Sequence, residues 1–178
     1  DSVTGLVSYS FETYKLSPRN DADLQGYVAG AGPETLSISE IQQGQNSEEP
    51  AYEGRIVNLD GVVVTEAETD FDGDSVLWVQ DPGGGEWSGL YVYIRPNTAE
   101  SVAVSRGDVV NLTGEITEFY DLTEITISDV ADVEVVSSGE SPISLGLTET
   151  PADWESLESV LISLDNVTIG SGPDEVTL

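Results

Sequence analysis

Cysteine and histidine are both absent from the 178 residues. Without cysteine there is no disulfide framework and no thiolate to act as nucleophile or ligand. Without histidine the chain lacks the commonest general base and the commonest transition-metal ligand. Basic residues are scarce as well: five Lys and Arg stand against 34 Asp and Glu, a formal charge of −29. A surface of that sign repels phosphate backbones, so direct nucleic-acid binding by this chain alone is disfavoured. The charge reads either as solubility in a salty or extracellular medium or as a surface that collects cations. No apolar run approaches the about 18 residues of a membrane-spanning helix, so no membrane span is expected. An export leader is not visible either; an exported protein would carry it upstream of Asp1.

What the chain does have is alternation. "GRIVNLDGVVVTE" from Gly54, "SVLWVQDP", "LYVYIRP", "DVVNLTGEITEF", "TEITISDV" and "DVEVV" all run apolar–polar with period two. Gly, Pro, Asp and Asn separate them, the residues of turns. Strands at this spacing, with no convincing amphipathic helix between them, predict an all-β fold with a small barrel or sandwich in the middle. "TPADWESLES" is the best helical candidate, with Thr150 as cap and Pro151 in the first position. Two stretches rich in small and turn residues, from Gly26 and from Ser137, flank the central strands as linkers.

Two internal matches organise the rest. Val3 to Leu24 lies over Leu112 to Val133 without a gap, with Thr4–Gly5 over Thr113–Gly114 and Ala22–Asp23 over Ala131–Asp132. Leu16 meets Ile125, so the inward faces stay in phase; a slip of one residue would turn every side chain over. Tyr52 to Val64 likewise lies over Leu157 to Ile169, with Glu53, Leu59, Asp60 and Val62 recurring as Glu158, Leu164, Asp165 and Val167. The expected organisation is therefore residues 1–25 as the closing strands of an incomplete module, 36–136 as a complete module, 137–156 as a linker with a short helix, and 157–178 as the opening strands of another incomplete module. A two- or three-strand fragment is marginal alone. The outer pieces could fold together in one chain, complete each other between chains, or belong to a longer tandem array.

The central segment, "TLSISEIQQG", "YEGRIVNLDGVVVTE", "LWVQDPGGGEWSGLYVYI" and "VSRGDVVNLTGEITEFYDLTEITISDVADVEVV", resembles the OB-fold module of bacterial extracellular nucleases and related large secreted tandem-module proteins. The resemblance implies an OB-fold-like small barrel in a secreted or cell-surface protein. In that family hydrolysis belongs to a separate domain, and its histidine-bearing constellation has no counterpart here. An OB barrel can bind oligonucleotides with basic and aromatic residues on one face. Here Arg55, Arg95 and Arg106 are the only cations of the module, and Trp78, Trp87, Tyr91 and Tyr93 serve as readily for the barrel's own core and rim.

Candidate chemistry is sparse. Asp70, Asp72 and Asp74 alternate around Gly73, with Glu66 and Glu68 just upstream. Oxygen ligands at that spacing resemble the start of a calcium loop, although the distal glutamate of a full EF-hand is absent. The same residues make an ordinary solvated hairpin tip. Glu115, Glu118, Asp121 and Glu124 cross a hairpin without singling out a catalytic pair, and "DPGGGEW" joins two strands rather than a strand and a phosphate-cradling helix. Sequons at Asn111 and Asn166 permit glycosylation.

The expected function is thus non-enzymatic and structural: a secreted protein that self-associates end to end by β-strand complementation into a filament. The strands expected to assemble carry Val3, Leu6, Tyr9, Phe11 and Leu16 on one side, and Val160, Ile162, Leu164, Val167 and Ile169 on the other. No cofactor is required, and calcium at Glu66, Asp70, Asp72 and Asp74 is the one expectation of a ligand. The alternative is an accessory OB module that binds ligand or nucleic acid for a secreted hydrolase.

Overall fold

The computed structural model describes residues 2–10, 13–17, 23–25, 32–47, 50–69, 75–95, 103–151, 153–165, 168–169 and 176–177. Contacts divide the chain into two units, Asp1–Gly32 and Pro33–Leu178. Phe11, Asp70, Asp72, Asp74, Asn166 and Val167 lie outside the described residues.

In the first unit, β1 (Ser2–Val3) pairs antiparallel with β4 (Leu24–Gln25), and β2 (Leu6–Ser10) with β3 (Thr13–Ser17). Leu6 and Val7 are 67% and 68% exposed and Leu16 is 47% exposed.

The second unit begins with β5 (Glu34–Thr35) and helix α1 (Ile38–Gln45). Ser37 and Glu40 form a capping box: Ser37 Oγ accepts from the Glu40 amide, and Glu40 Oε2 accepts from the Ser37 amide. Asp81, two strands away, accepts from the Ile38 and Ser39 amides at 3.2 Å each, which satisfies the remaining amides of the first turn. The helix seats Ile38 and Ile41, both fully buried, in the end of the barrel.

The barrel itself is β6 (Ile56–Thr69), β7 (Ser75–Gln80), β8 (Gly89–Ile94), β9 (Val109–Phe119) and β10 (Leu122–Ile127). Its order is β9-β10-β8-β7-β6, and β6 closes back onto β9. The β8–β10 pair is parallel and the other barrel pairs are antiparallel. That order and those directions are the closed five-stranded OB arrangement, with all edges of the barrel paired. Val57, Leu59, Leu77, Val79, Val92, Leu112, Ile116 and Ile125 alternate inward and are essentially unexposed. Each such side chain contributes about 1.5–3 kcal/mol by leaving water.

Long β6 must serve both β7 and β9 in the barrel as well as β5, and bulges bend it. One lies between Leu59 and Val62 against β9, another between Val64 and Glu66 against β7. Gly61 (φ +70°) sits in the first, and its amide is satisfied by Asn111 Oδ1 at 2.9 Å. Where β9 passes β10, Gly114 has no room for a side chain: a β carbon would stand 2.7 Å from both Ile125 Cγ1 and the Thr126 carbonyl.

Beyond the barrel, a 3₁₀ turn (Val130–Asp132) leads to β11 (Val133–Ser137), which pairs with β9. β12 (Leu145–Leu147) pairs in parallel with β13 (Ile162–Leu164), and β14 (Thr168–Ile169) pairs antiparallel with β15 (Val176–Thr177). The expected helix near Trp154 is a single 3₁₀ turn at Glu155–Leu157. Asp153 Oδ1, not Thr150, accepts from the amide that opens it, and Ser159 (φ +55°) lies just beyond. The α-helix of the second unit falls instead on "ISEIQQGQ", where a helix of two turns leaves too little periodicity to read.

Candidate assembly site

The registers of the outer strands repeat those of the barrel. Thr13↔Ser10, Lys15↔Ser8, Leu16↔Val7 and Ser17↔Leu6 stand where Leu122↔Phe119, Glu124↔Thr117, Ile125↔Ile116 and Thr126↔Glu115 stand in the β9–β10 hairpin. Val3↔Leu24 and Ser2↔Gln25 stand where Leu112↔Val133 and Asn111↔Glu134 pair β9 with β11. Asp23 forms a 3₁₀ residue before β4, as Asp132 does before β11. Gly5 occupies the position at which Gly114 tolerates no side chain.

The late strands repeat the opening of the barrel in the same way. β13 pairs in parallel with β12 as β6 pairs with β5, and Ile162 and Ser163 hold the positions of Val57 and Asn58. Thr168↔Thr177 and Ile169↔Val176 stand where Val63↔Gln80 and Val64↔Val79 pair β6 with β7.

Burial does not follow register. Ile116 and Ile125 are fully buried, while Val7 and Leu16 at their positions are exposed. Val57 and Leu59 are fully buried, while Ile162 and Leu164 are half-buried. Val3, Tyr9 and Ile169 are placed on β1, β2 and β14, and Val160 is buried against the barrel.

Residues 138–151 and 153–161 form a strap across the outer face of β7 and β8. Gln80, 2% exposed, donates from Nε2 to the Ile143 carbonyl at 2.8 Å and accepts from the Leu161 amide at 3.1 Å. The Gly107 carbonyl accepts from the Gly139 and Glu140 amides, and the Trp87 amide donates to the Ser156 carbonyl at 2.6 Å. Glu158 Oε1 accepts from the Thr123 amide at 3.0 Å and from Gln42 Nε2 at 3.3 Å. Burial raises the Glu158 carboxyl above its usual range, against those hydrogen bonds, and the charges of Glu155 and Glu118 push the same way. Burial likewise raises Glu118. Asp108 moves oppositely: bonds from the Ser138 side chain and the Ser105 amide lower it, which ties the first residue of the strap to the barrel.

Two clefts flank the strap. One, of about 590 Å³, is lined by Gln45, Glu118, Asp121, Asp153 and Glu155, and its carboxylates exclude anions. The other, of about 340 Å³, lies between Trp78, Arg106 and Glu66 on the barrel and Ser159–Leu161 of the strap. Trp78 meets Tyr91 edge to face, with ring centroids 5.3 Å apart. Of the expected calcium ligands only Glu66 is described; its Oε2 lies 3.9 Å from Arg106 Nη1. Among the described residues no group of three or more acidic side chains is arranged to hold a metal. At the Asn111 sequon both amide atoms are engaged, Oδ1 by Gly61 and Nδ2 by Glu134 at 2.9 Å, so a sugar on Nδ2 would displace the second bond.

No family model and no curated protein matches the chain. Solved structures are similar to it at low identity. They include asparaginyl-tRNA synthetase from Pyrococcus horikoshii complexed with asparaginyl-adenylate (16% identity, 60% of this chain and 23% of that chain, TM-score 0.44). The hypothetical protein ygiW from E. coli is another (18% identity, 63% and 100%, TM-score 0.38). A third is the second OB-fold domain of replication protein A from Methanococcus maripaludis (15% identity, 51% and 90%, TM-score 0.34). The chain spans less than a quarter of the synthetase's length.

Proposed function

We propose that this chain is a non-enzymatic structural protein, exported to the cell surface or medium, whose tandem OB-like modules join end to end by β-strand complementation into a filament. The exposed Val7–Leu16 pair carries this reading, because the same register in the barrel is occupied by the buried Ile116–Ile125 pair. An apolar pair on a bare hairpin favours addition of a missing layer, and strand addition supplies backbone hydrogen bonds along with apolar cover. A charge of −29 per chain opposes side-to-side bundling at low salt and leaves contact to the ends. Sedimentation velocity over a range of concentrations, with negative-stain microscopy, tests it. Concentration-dependent, linear oligomers are expected; a compact monomer with both end segments protease-resistant would overturn it.

The reading requires no cofactor. Calcium held by Glu66, Asp70, Asp72 and Asp74 would screen repulsion between neighbours, and calorimetry on metal-stripped protein checks it: no heat on calcium addition removes it.

A second reading, the accessory binding module of a secreted nuclease or other hydrolase, draws on the Trp78–Tyr91 pair on β7 and β8, strands that carry ligands in OB barrels. The strap over that face and the negative charge both weigh against it. A gel shift with single-stranded DNA at low salt, with calcium, decides the matter: binding would favour this second reading.

A further inference from the structure

The registers say more than that two surfaces are unfinished; they specify how one would finish the other. In the barrel, β6 lies antiparallel to β9 with Ile56↔Glu115, Val57↔Gly114, Asn58↔Thr113 and Leu59↔Leu112 opposite one another. The first unit repeats β9 and its two neighbours, β10 and β11, without the strand that fills the β6 position: among the described residues no strand pairs with the second edge of Ser2–Leu6. β13 repeats β6 and brings its parallel partner β12 with it, as β6 brings β5.

Resting on the end-to-end reading above, we infer that β13 of a second copy of this chain adds antiparallel to the Val3–Leu6 edge, with Leu164 opposite Val3, Ser163 opposite Thr4, Ile162 opposite Gly5 and Leu161 opposite Leu6. The occupant is a second copy because the chain carries the required segment once for each edge that needs it. Ile162 then lies opposite Gly5 as Val57 lies opposite Gly114. Ile162 and Leu164 supply the apolar layer over Val7 and Leu16 that Val57 and Leu59 supply over Ile116 and Ile125. Ser163 and Thr4 face one another as Asn58 and Thr113 do, whose side chains are hydrogen-bonded at 2.8 Å. The composite fills the positions of β5, β6, β9, β10 and β11 and begins that of β7 with β15; the β8 position stays open beside β3.

The absence of native cysteine makes the register directly testable. Residues directly opposite in an antiparallel pair have Cα atoms within disulfide range, whereas a partner two residues along does not. Thr4→Cys and Ser163→Cys in one chain should give a ladder of disulfide-linked multimers under mild oxidation, and the two single variants mixed should give a dimer. Thr4→Cys with Asp165→Cys should lose the ladder. Linear oligomers in sedimentation together with cross-linking only in the Asp165 variant would overturn the register and leave the end-to-end reading standing. A cross-linked monomer, with no dimer from the mixed single variants, would overturn the second copy as occupant. Absence of both cross-link and oligomer would overturn the register and the end-to-end reading together.

Discussion

Gly89 on β8 and Ser159 in the strap meet backbone to backbone, with no room for a β carbon between them. The contact lies on the outer face of the barrel, because Leu90, Val92 and Ile94 are the inward residues of β8. It is therefore a joint between barrel and strap rather than part of the core.

Gly89→Ala should loosen the strap and spare the barrel. Overpacking of this kind costs about 1–3 kcal/mol. Hydrogen exchange should rise across residues 138–151 and 153–161 while β6 to β10 keep their protection; uniform loss of protection would show that the strap and barrel unfold as one.

Gln80→Leu keeps much of the side-chain volume but strands the Ile143 carbonyl and the Leu161 amide, both bonded to Gln80 alone among the hydrogen bonds described for the strap's crossing of β7. Each lost hydrogen bond of this kind costs about 0.5–1.5 kcal/mol net. The melting temperature should fall by about 2–4 °C for each kcal/mol lost. An unchanged melting curve would mean that water reaches these groups.

The strap should also tighten on mild acidification. Glu158 is raised by burial and faces the charges of Glu155 and Glu118, with Gln42 and Thr123 as its hydrogen-bond donors. A raised folded-state pKa means that its contribution is full below the ordinary glutamate value of 4.5 and is lost as pH rises through the raised value. Glu118 acts in the same direction, whereas lowered Asp108 loses its contribution only as pH falls through its own depressed value. Once the intrinsic pH dependence of amide exchange is divided out, protection in residues 153–161 should therefore rise as pH falls from neutral through the raised Glu158 value. Glu158→Gln should flatten that dependence; a steep profile in the variant would move the effect elsewhere.

Leu16→Ala and Ile125→Ala make the same change at equivalent registers and should behave differently. In the core, Ile125→Ala should destabilise by about 2–5 kcal/mol. At exposed Leu16 the dilute protein should change by no more than about 0.5 kcal/mol while its association is lost. Equal melting shifts for the two would mean that Leu16 is already covered.

Strand identity and phase were legible because inward residues such as Leu77, Val79, Leu112 and Ile116 alternate with polar ones. The repeats were legible for the same reason, and Gly5 and Gly114 coincide because the close crossing at Gly114 leaves no room for a side chain. Helix α1 was missed because its two turns carry little periodicity, although Ser37 and Glu40 announce a capping box. The strap was invisible: Gln80 and Gly89 meet backbone groups more than sixty residues away and Gln42 bonds the Gly89 carbonyl 47 residues away, and nothing local marks a glutamine that bonds to a distant carbonyl. Its residues up to 156 read as a linker, because small and turn residues also suit a segment held by its main chain, and 157–161 read as the opening of the next module.

The two surfaces are unlike: an exposed antiparallel hairpin in one unit and a half-buried parallel pair in the other. An assembly that joins one to the other is polar at every length, with a hairpin showing at one tip and a parallel pair at the opposite tip. Its tips can then grow at different rates, and a whole chain whose own Val3–Leu6 edge is blocked would cap one of them and leave the other free to extend.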